Sequence, residues 1–147
     1  MKKLICVIAA VALIIGPSEK VRAYEYKVIE PMCYEQPMKI RCTCYCEHGI
    51  TASGQKTRYG IVAGKKEWLG YTAEINEVAE DGSVGSFIGY FEFCDTGAGM
   101  DSDGDGKGDT IKDGKSIDVW VDNLEEAYMW VGTYGDYVYI KIIRGEG

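Results

Sequence analysis

A series of short apolar or alternating runs, each broken by a glycine or a polar turn, constrains this chain most. Residues 39–47 read as a strand. On it Cys42, Cys44 and Cys46 share one face and Thr43 and Tyr45 the other. Residues 59–63 and 71–78 are further short strands, and Glu80-Asp81-Gly82-Ser83 is a turn. Residues 84–94 form a longer strand with a bend expected at Gly85 or Gly89, and residues 116–121 are another β-like run. Asn123 can cap a short helix through Leu124, Ala127, Tyr128 and Val131, with Glu125 and Glu126 in its favourable first turn. Residues 137–143 close the domain as a strand. Many short strands with one helix predict a mainly β domain, a small closed or partly closed β-barrel. There is no internal repeat and no second domain.

The N-terminus stands apart from that core. Lys2-Lys3 precede the apolar residues 4–15, Gly16-Pro17 break the run, and Val21-Arg22-Ala23 offers small residues to a signal peptidase. The run is too short for a comfortable membrane span. Residues 1–23 therefore read as a secretory signal, 24–38 as a strap punctuated by Pro31 and Pro37, and 39–147 as the domain. A retained N-terminal anchor is the alternative. Loss of Lys2, Lys3, Lys20, Arg22 and Glu19 takes the 16 basic and 23 acidic residues to 12 and 22, a net charge of −10. That sign argues against a nucleic-acid partner and an anionic lipid surface. The expectation is a secreted monomer, with no stable membrane span after cleavage.

Two carboxylates sit in apolar settings. Asp95 ends the run Ile88-Gly89-Tyr90-Phe91-Glu92-Phe93-Cys94 and opens onto Thr96-Gly97. Asp118 lies inside Ser116-Ile117-Asp118-Val119-Trp120-Val121. Desolvation disfavours the charged form, so such acids are candidates for a raised pKa and for general acid work near neutral pH. By alternation Asp118 shares a face with Trp120, whose indole can stack on a sugar and help dry the acid. The competing reading gives Asp95 only an Asx-type turn and leaves Asp118 solvated on a strand's outer face.

The order of Gly49-Ile50-Thr51-Ala52-Ser53-Gly54, Gly60-Ile61-Val62-Ala63, Asp95-Thr96-Gly97 and Ile117-Asp118-Val119-Trp120, closed by Tyr137-Val138-Tyr139-Ile140, resembles the three-aspartate ("3D") domain family. The resemblance spans residues 39–143. It implies a double-psi β-barrel of the lytic-transglycosylase kind, which cleaves peptidoglycan glycan strands with one carboxylic acid and leaves a 1,6-anhydro sugar. It further implies Asp118 as the general acid/base and Asp95 as its partner, tuning its pKa or binding substrate. Thr51 and Ser53 would bind the sugar or orient an acid, and Trp120 would contact substrate. The chain departs from the pattern once. The aspartate expected after the Val-Ala strand is missing from Val62-Ala63-Gly64-Lys65-Lys66. Lys65 or Lys66 takes its neighbourhood, where a cation would lower an aspartate's pKa. A non-catalytic, calcium-stabilised barrel that binds wall glycan or a surface partner is the second reading.

Asp101-Ser102-Asp103-Gly104-Asp105-Gly106-Lys107-Gly108-Asp109 alternates oxygen ligands with sharp glycine turns, a pattern that suits a hard calcium ion. Asp101, Asp103, Asp105 and Asp109 are the expected ligands, with Asp113 a late addition. The twelfth position is Lys112, so the loop is not an EF-hand. Calcium here would be structural, ordering the segment between Asp95 and Asp118; a solvated acidic loop is the alternative. Cys42, Cys44, Cys46, Cys94 and His48 have donors that suit zinc, but their spacing lacks the usual Cys-x-x-Cys turn. Buried small hydrophobes, with or without one disulfide, are the expected role of the strand cysteines.

Overall fold

A computed structural model describes residues 36–144. The signal and most of the strap expected over residues 1–38 lie outside them. Six strands, β1 (Met38–Tyr45), β2 (Ile61–Ala63), β3 (Thr72–Val78), β4 (Val84–Asp95), β5 (Ser116–Trp120) and β6 (Tyr137–Ile143), pair in a closed ring in the order β1-β5-β2-β4-β3-β6. One helix, α1 (Leu124–Tyr134), and a 3-10 turn (Lys66–Trp68) complete the fold. The domain is mainly β, as expected. Closure leaves no unpaired sheet edge in the ring.

Alternation places the core. Ile40 and Cys42 of β1, Ala73 and Ile75 of β3, Ile117 and Val119 of β5, and Val138, Ile140 and Ile142 of β6 turn inward around Phe93. The cysteine face of β1 is therefore a core face, as its spacing suggests. The Asn123 side chain accepts the Glu126 N–H at the start of α1, the expected cap. β4 is irregular in the stretch that holds Gly85 and Gly89, where a bend at one or the other is expected. Its ladder with β3 slips between the Ile75–Gly89 and Asn76–Phe87 pairs, and again before Val78–Val84. Such bulges sharpen strand twist and help a sheet curl into a ring.

Register decides the site. β1 and β5 run parallel with Arg41 opposite Ser116, Thr43 opposite Asp118 and Tyr45 opposite Trp120. β5 also lies antiparallel to β2, with Ala63 opposite Asp118, and β2 runs parallel to β4, with Ala63 opposite Asp95. Ala63 thus stands between the two aspartates, on adjacent strands of one wall. Two carboxylates that lie 23 residues apart in the chain become neighbours through β2.

Candidate active site

Asp95 and Asp118 line the same cleft, of about 340 Å³, together with Arg41, Thr43 and Tyr45 from the outer face of β1 and Glu47 just beyond its end. The opposite wall is the segment after Asp95, where Gly97, Gly99 and Ile111 close in.

Both oxygens of Asp95 are held. Oδ1 accepts the Thr96 and Ala52 N–H groups, each at 2.9 Å, and Oδ2 accepts the Tyr45 hydroxyl at 3.1 Å. Ala52 sits at the tip of a tight hairpin around the Ile50–Lys56 bridge. Thr51, 5% exposed, stiffens that tip through contacts to the Ser53 hydroxyl at 3.1 Å and the Gln55 N–H at 3.3 Å. The Ser53 N–H donates to the Cys94 carbonyl at 3.0 Å. Neither Thr51 nor Ser53 lines the cleft. Their loop reaches Asp95 through the Ala52 N–H, not through either hydroxyl.

Asp118 is the contrast. Its Oδ1 is buried and has no hydrogen-bond partner. Burial raises its pKa to about 6, and the negative charges of Glu47 and Asp95 push the same way. The Thr43 hydroxyl pulls against the rise, although its own hydrogen goes to the Ile117 carbonyl at 3.3 Å. A carboxyl titrating near 6 is both a competent acid and a competent base at neutral pH. The lysine effect expected from the missing third aspartate is not seen. Lys65 reaches Glu67 at 3.9 Å, and no lysine acts on Asp118.

Trp120 does not take the place expected of it. It shares the outer face with Asp118, but its ring is only 4% exposed and packs with Ile61, Cys94 and Tyr45. Its indole N–H donates to the Glu47 carbonyl at 3.0 Å, and His48 and Tyr59 meet it edge-on, each at 5.3 Å. It borders a separate aromatic hollow beside α1, not the acid cleft. Alternation names a residue's face; it does not say which neighbour bends over it.

Neither a family model, a curated protein nor a solved structure matches this chain.

Arg41, Tyr45 and Glu47 belong to the site although sequence reasoning did not assign them a role. The signal was present in the alternation of β1, since residues two apart from Thr43 and Tyr45 fall on the same face.

The acidic segment grows from the cleft wall. Asp109 and Thr110 N–H groups donate to the Met100 carbonyl, and Ile111 N–H to Ala98, pinning its base. Carboxylate oxygens of Asp101, Asp103 and Asp109 lie within 4.8 Å of one another, a spacing that could hold a cation. Asp105 stands outside this trio and accepts the Lys107 N–H at 2.8 Å. Asp113 pairs with Lys115 at 3.0 Å. Two N–H groups, of Gly106 and Gly104, hold the Asp101 carboxyl below its ordinary range.

Among the described residues, the cysteines and His48 form no group that could hold a metal. Cys42 turns into the core, Cys94 packs with Trp120 and Ile61, and His48 is exposed beside Asp122. Burial raises the Cys44 thiol to about 12, with Asp118 adding to the rise, and pushes the Cys42 thiol up further still. Protonated thiols are poor nucleophiles.

Proposed function

We propose that this protein is a secreted peptidoglycan-remodelling enzyme that cleaves glycan strands by a lytic-transglycosylase-type reaction on a double-psi β-barrel of the 3D family. The observation that carries the reading is Asp118, a half-buried carboxyl with one unpartnered oxygen, beside a fully anchored Asp95 in an open cleft. Support for the barrel type comes from the closed six-strand ring with its two parallel pairs, β1 with β5 and β2 with β4.

In this mechanism protonated Asp118 gives its proton to the glycosidic oxygen as the C1–O bond breaks. The sugar's own C6 hydroxyl closes on C1, and its proton returns to the Asp118 carboxylate. No water is consumed and the acid is regenerated. Asp95 is anchored by three hydrogen bonds, and its charge favours the proton on Asp118. Calcium bound by Asp101, Asp103 and Asp109 would stiffen the wall formed by residues 97–111, a structural role.

A second reading has its own support. The family pattern expects an aspartate after Val62-Ala63, where the chain has Gly64-Lys65-Lys66, which fits a module that holds glycan without cutting it. Digestion of purified sacculi with calcium present, followed by mass spectrometry, separates the two. Anhydro-muropeptides from the wild type and none from Asp118→Asn are expected. Sedimentation with the sacculi and no soluble fragments would replace the enzyme with the binding module.

A further inference from the structure

The charged residues that line the cleft are acidic with one exception. It is lined by Arg41, Thr43 and Tyr45 of β1 and by Glu47 just beyond it, and Arg41 is the only Lys or Arg among the lining residues. The Arg41 Nε is buried and lacks a hydrogen-bond partner. Arg41 takes part in none of the ion pairs among the described residues. Its charge is not spent on Asp118 either, whose neighbouring charges are Glu47 and Asp95.

A guanidinium is always charged, and a buried donor without an acceptor is costly. An arginine held in this way on a cleft wall is suited to a planar, bidentate anion. Register sets Arg41 close to the acid along the strand. Arg41 lies opposite Ser116 and Thr43 opposite Asp118, so the guanidinium's strand position is two residues from the acid, roughly 7 Å along the strand. A group bound there belongs to the sugar at the reacting bond or to its immediate neighbour.

We propose that Arg41 forms a carboxylate subsite, so that the cleft selects glycans bearing an acidic substituent beside the bond over Asp118. The inference rests on the glycan reading above and deepens it. A lactyl ether and a uronate present the same two oxygens, and the test tells them apart. Arg41 is a specificity residue, not a catalytic one. It orients the chain and leaves proton transfer to Asp118.

The test uses the Asp118→Asn protein, which binds without turnover, and three probes. These are a neutral chito-oligosaccharide, an oligogalacturonate, and a peptide-stripped wall oligomer with free lactyl carboxylates. Calorimetry at low salt should give about tenfold tighter binding for an acidic oligomer than for the neutral one. The lactyl or the uronate oligomer will be the better ligand, which names the source. Arg41→Gln should weaken acidic binding far more than neutral binding and so erase the preference, while Arg41→Lys should keep part of it. Equal affinity for neutral and acidic oligomers, or a preference that survives Arg41→Gln, overturns the subsite. Titration of D-lactate against the Arg41 Nε–H resonance in NMR checks the subsite independently of any glycan. A saturable shift is expected, and its absence overturns the proposal. A shift from lactate with no oligosaccharide binding would keep the subsite and remove the glycan reading.

Discussion

Tyr45 donates its phenolic hydrogen to Asp95 across 3.1 Å while its ring packs on Trp120, Ile61 and Cys94. One side chain thereby couples the outer apolar cluster to the cleft. Burial, followed by the Asp95 charge, raises the Tyr45 pKa, so the phenol remains a donor throughout the physiological range. Tyr45→Phe keeps the packing and removes only the hydroxyl. We expect a loss of about 1–2 kcal/mol in chemical denaturation, since the acceptor is a carboxylate. Cleavage should fall on the order of tenfold as Asp95 loosens. Unchanged stability and activity would mean that Ala52 and Thr96 suffice to hold Asp95.

With the Asp118 pKa at about 6, the protonated acid dominates below that pH. The kcat/KM for glycan cleavage should be flat below 6 and fall about tenfold per pH unit well above it. Of the neighbouring charges, Glu47 does most to raise this pKa. Glu47→Gln should therefore move the falling limb to lower pH, read from a pH–rate profile on solubilised glycan. A limb that stays in place would assign it to another group.

Much of the fold was legible in local pattern, and most of the site's neighbours were not. β6 was readable from Val138, Ile140 and Ile142 at alternate positions, and α1 from the Asn123 cap with Glu125 and Glu126 behind it. β2 is shorter than its apolar run because Gly60, at φ 83°, turns the chain just before Ile61. Strand pairing is a different kind of information. Nothing local tells β1 to lie parallel to β5, and that register is what sets Thr43 beside Asp118. Trp120 was assigned the right face, but Tyr45, Tyr59 and His48 enclose it from segments far away in the chain.

Gly64 sits where the core leaves no room for a side chain. A Cβ there would meet the Phe93 ring at 2.5 and 2.6 Å and Trp68 at 3.0 Å. The two rings already pack with centroids 5.2 Å apart, and Phe93 is fully buried in the core. Gly64→Ala should cost about 1–3 kcal/mol by overpacking, measured by urea denaturation. A neutral outcome would show that the 3-10 turn over Lys66–Trp68 yields without cost.

The acidic loop makes a separate prediction. Millimolar calcium should raise the melting temperature by several degrees, and a chelator should reverse it. Asp103→Asn keeps the side chain's shape and its acceptor for the Asp105 N–H, yet removes one charge from the trio. It should abolish most of the calcium effect, whereas Asp105→Asn, outside the trio, should keep it. A melt indifferent to calcium and chelator would leave a solvated loop.

Asp118 also links stability to pH, and with a definite sign. Its carboxyl titrates at about 6 in the folded chain against an ordinary 3.8. Between those values the folded state holds a proton that the unfolded state has released. Its contribution is therefore complete below about pH 4 and is lost as pH rises through 6. The full shift corresponds to something on the order of 2–3 kcal/mol, an upper bound because solvent enters the cleft. Asp118→Asn cannot ionise and should lose this dependence. The variant should match the wild type near pH 4 and melt several degrees higher at pH 7.5. The wild-type-minus-variant difference cancels every other titrating group, so melting curves that run parallel across this window would place the Asp118 pKa back in the ordinary range and remove it as the acid.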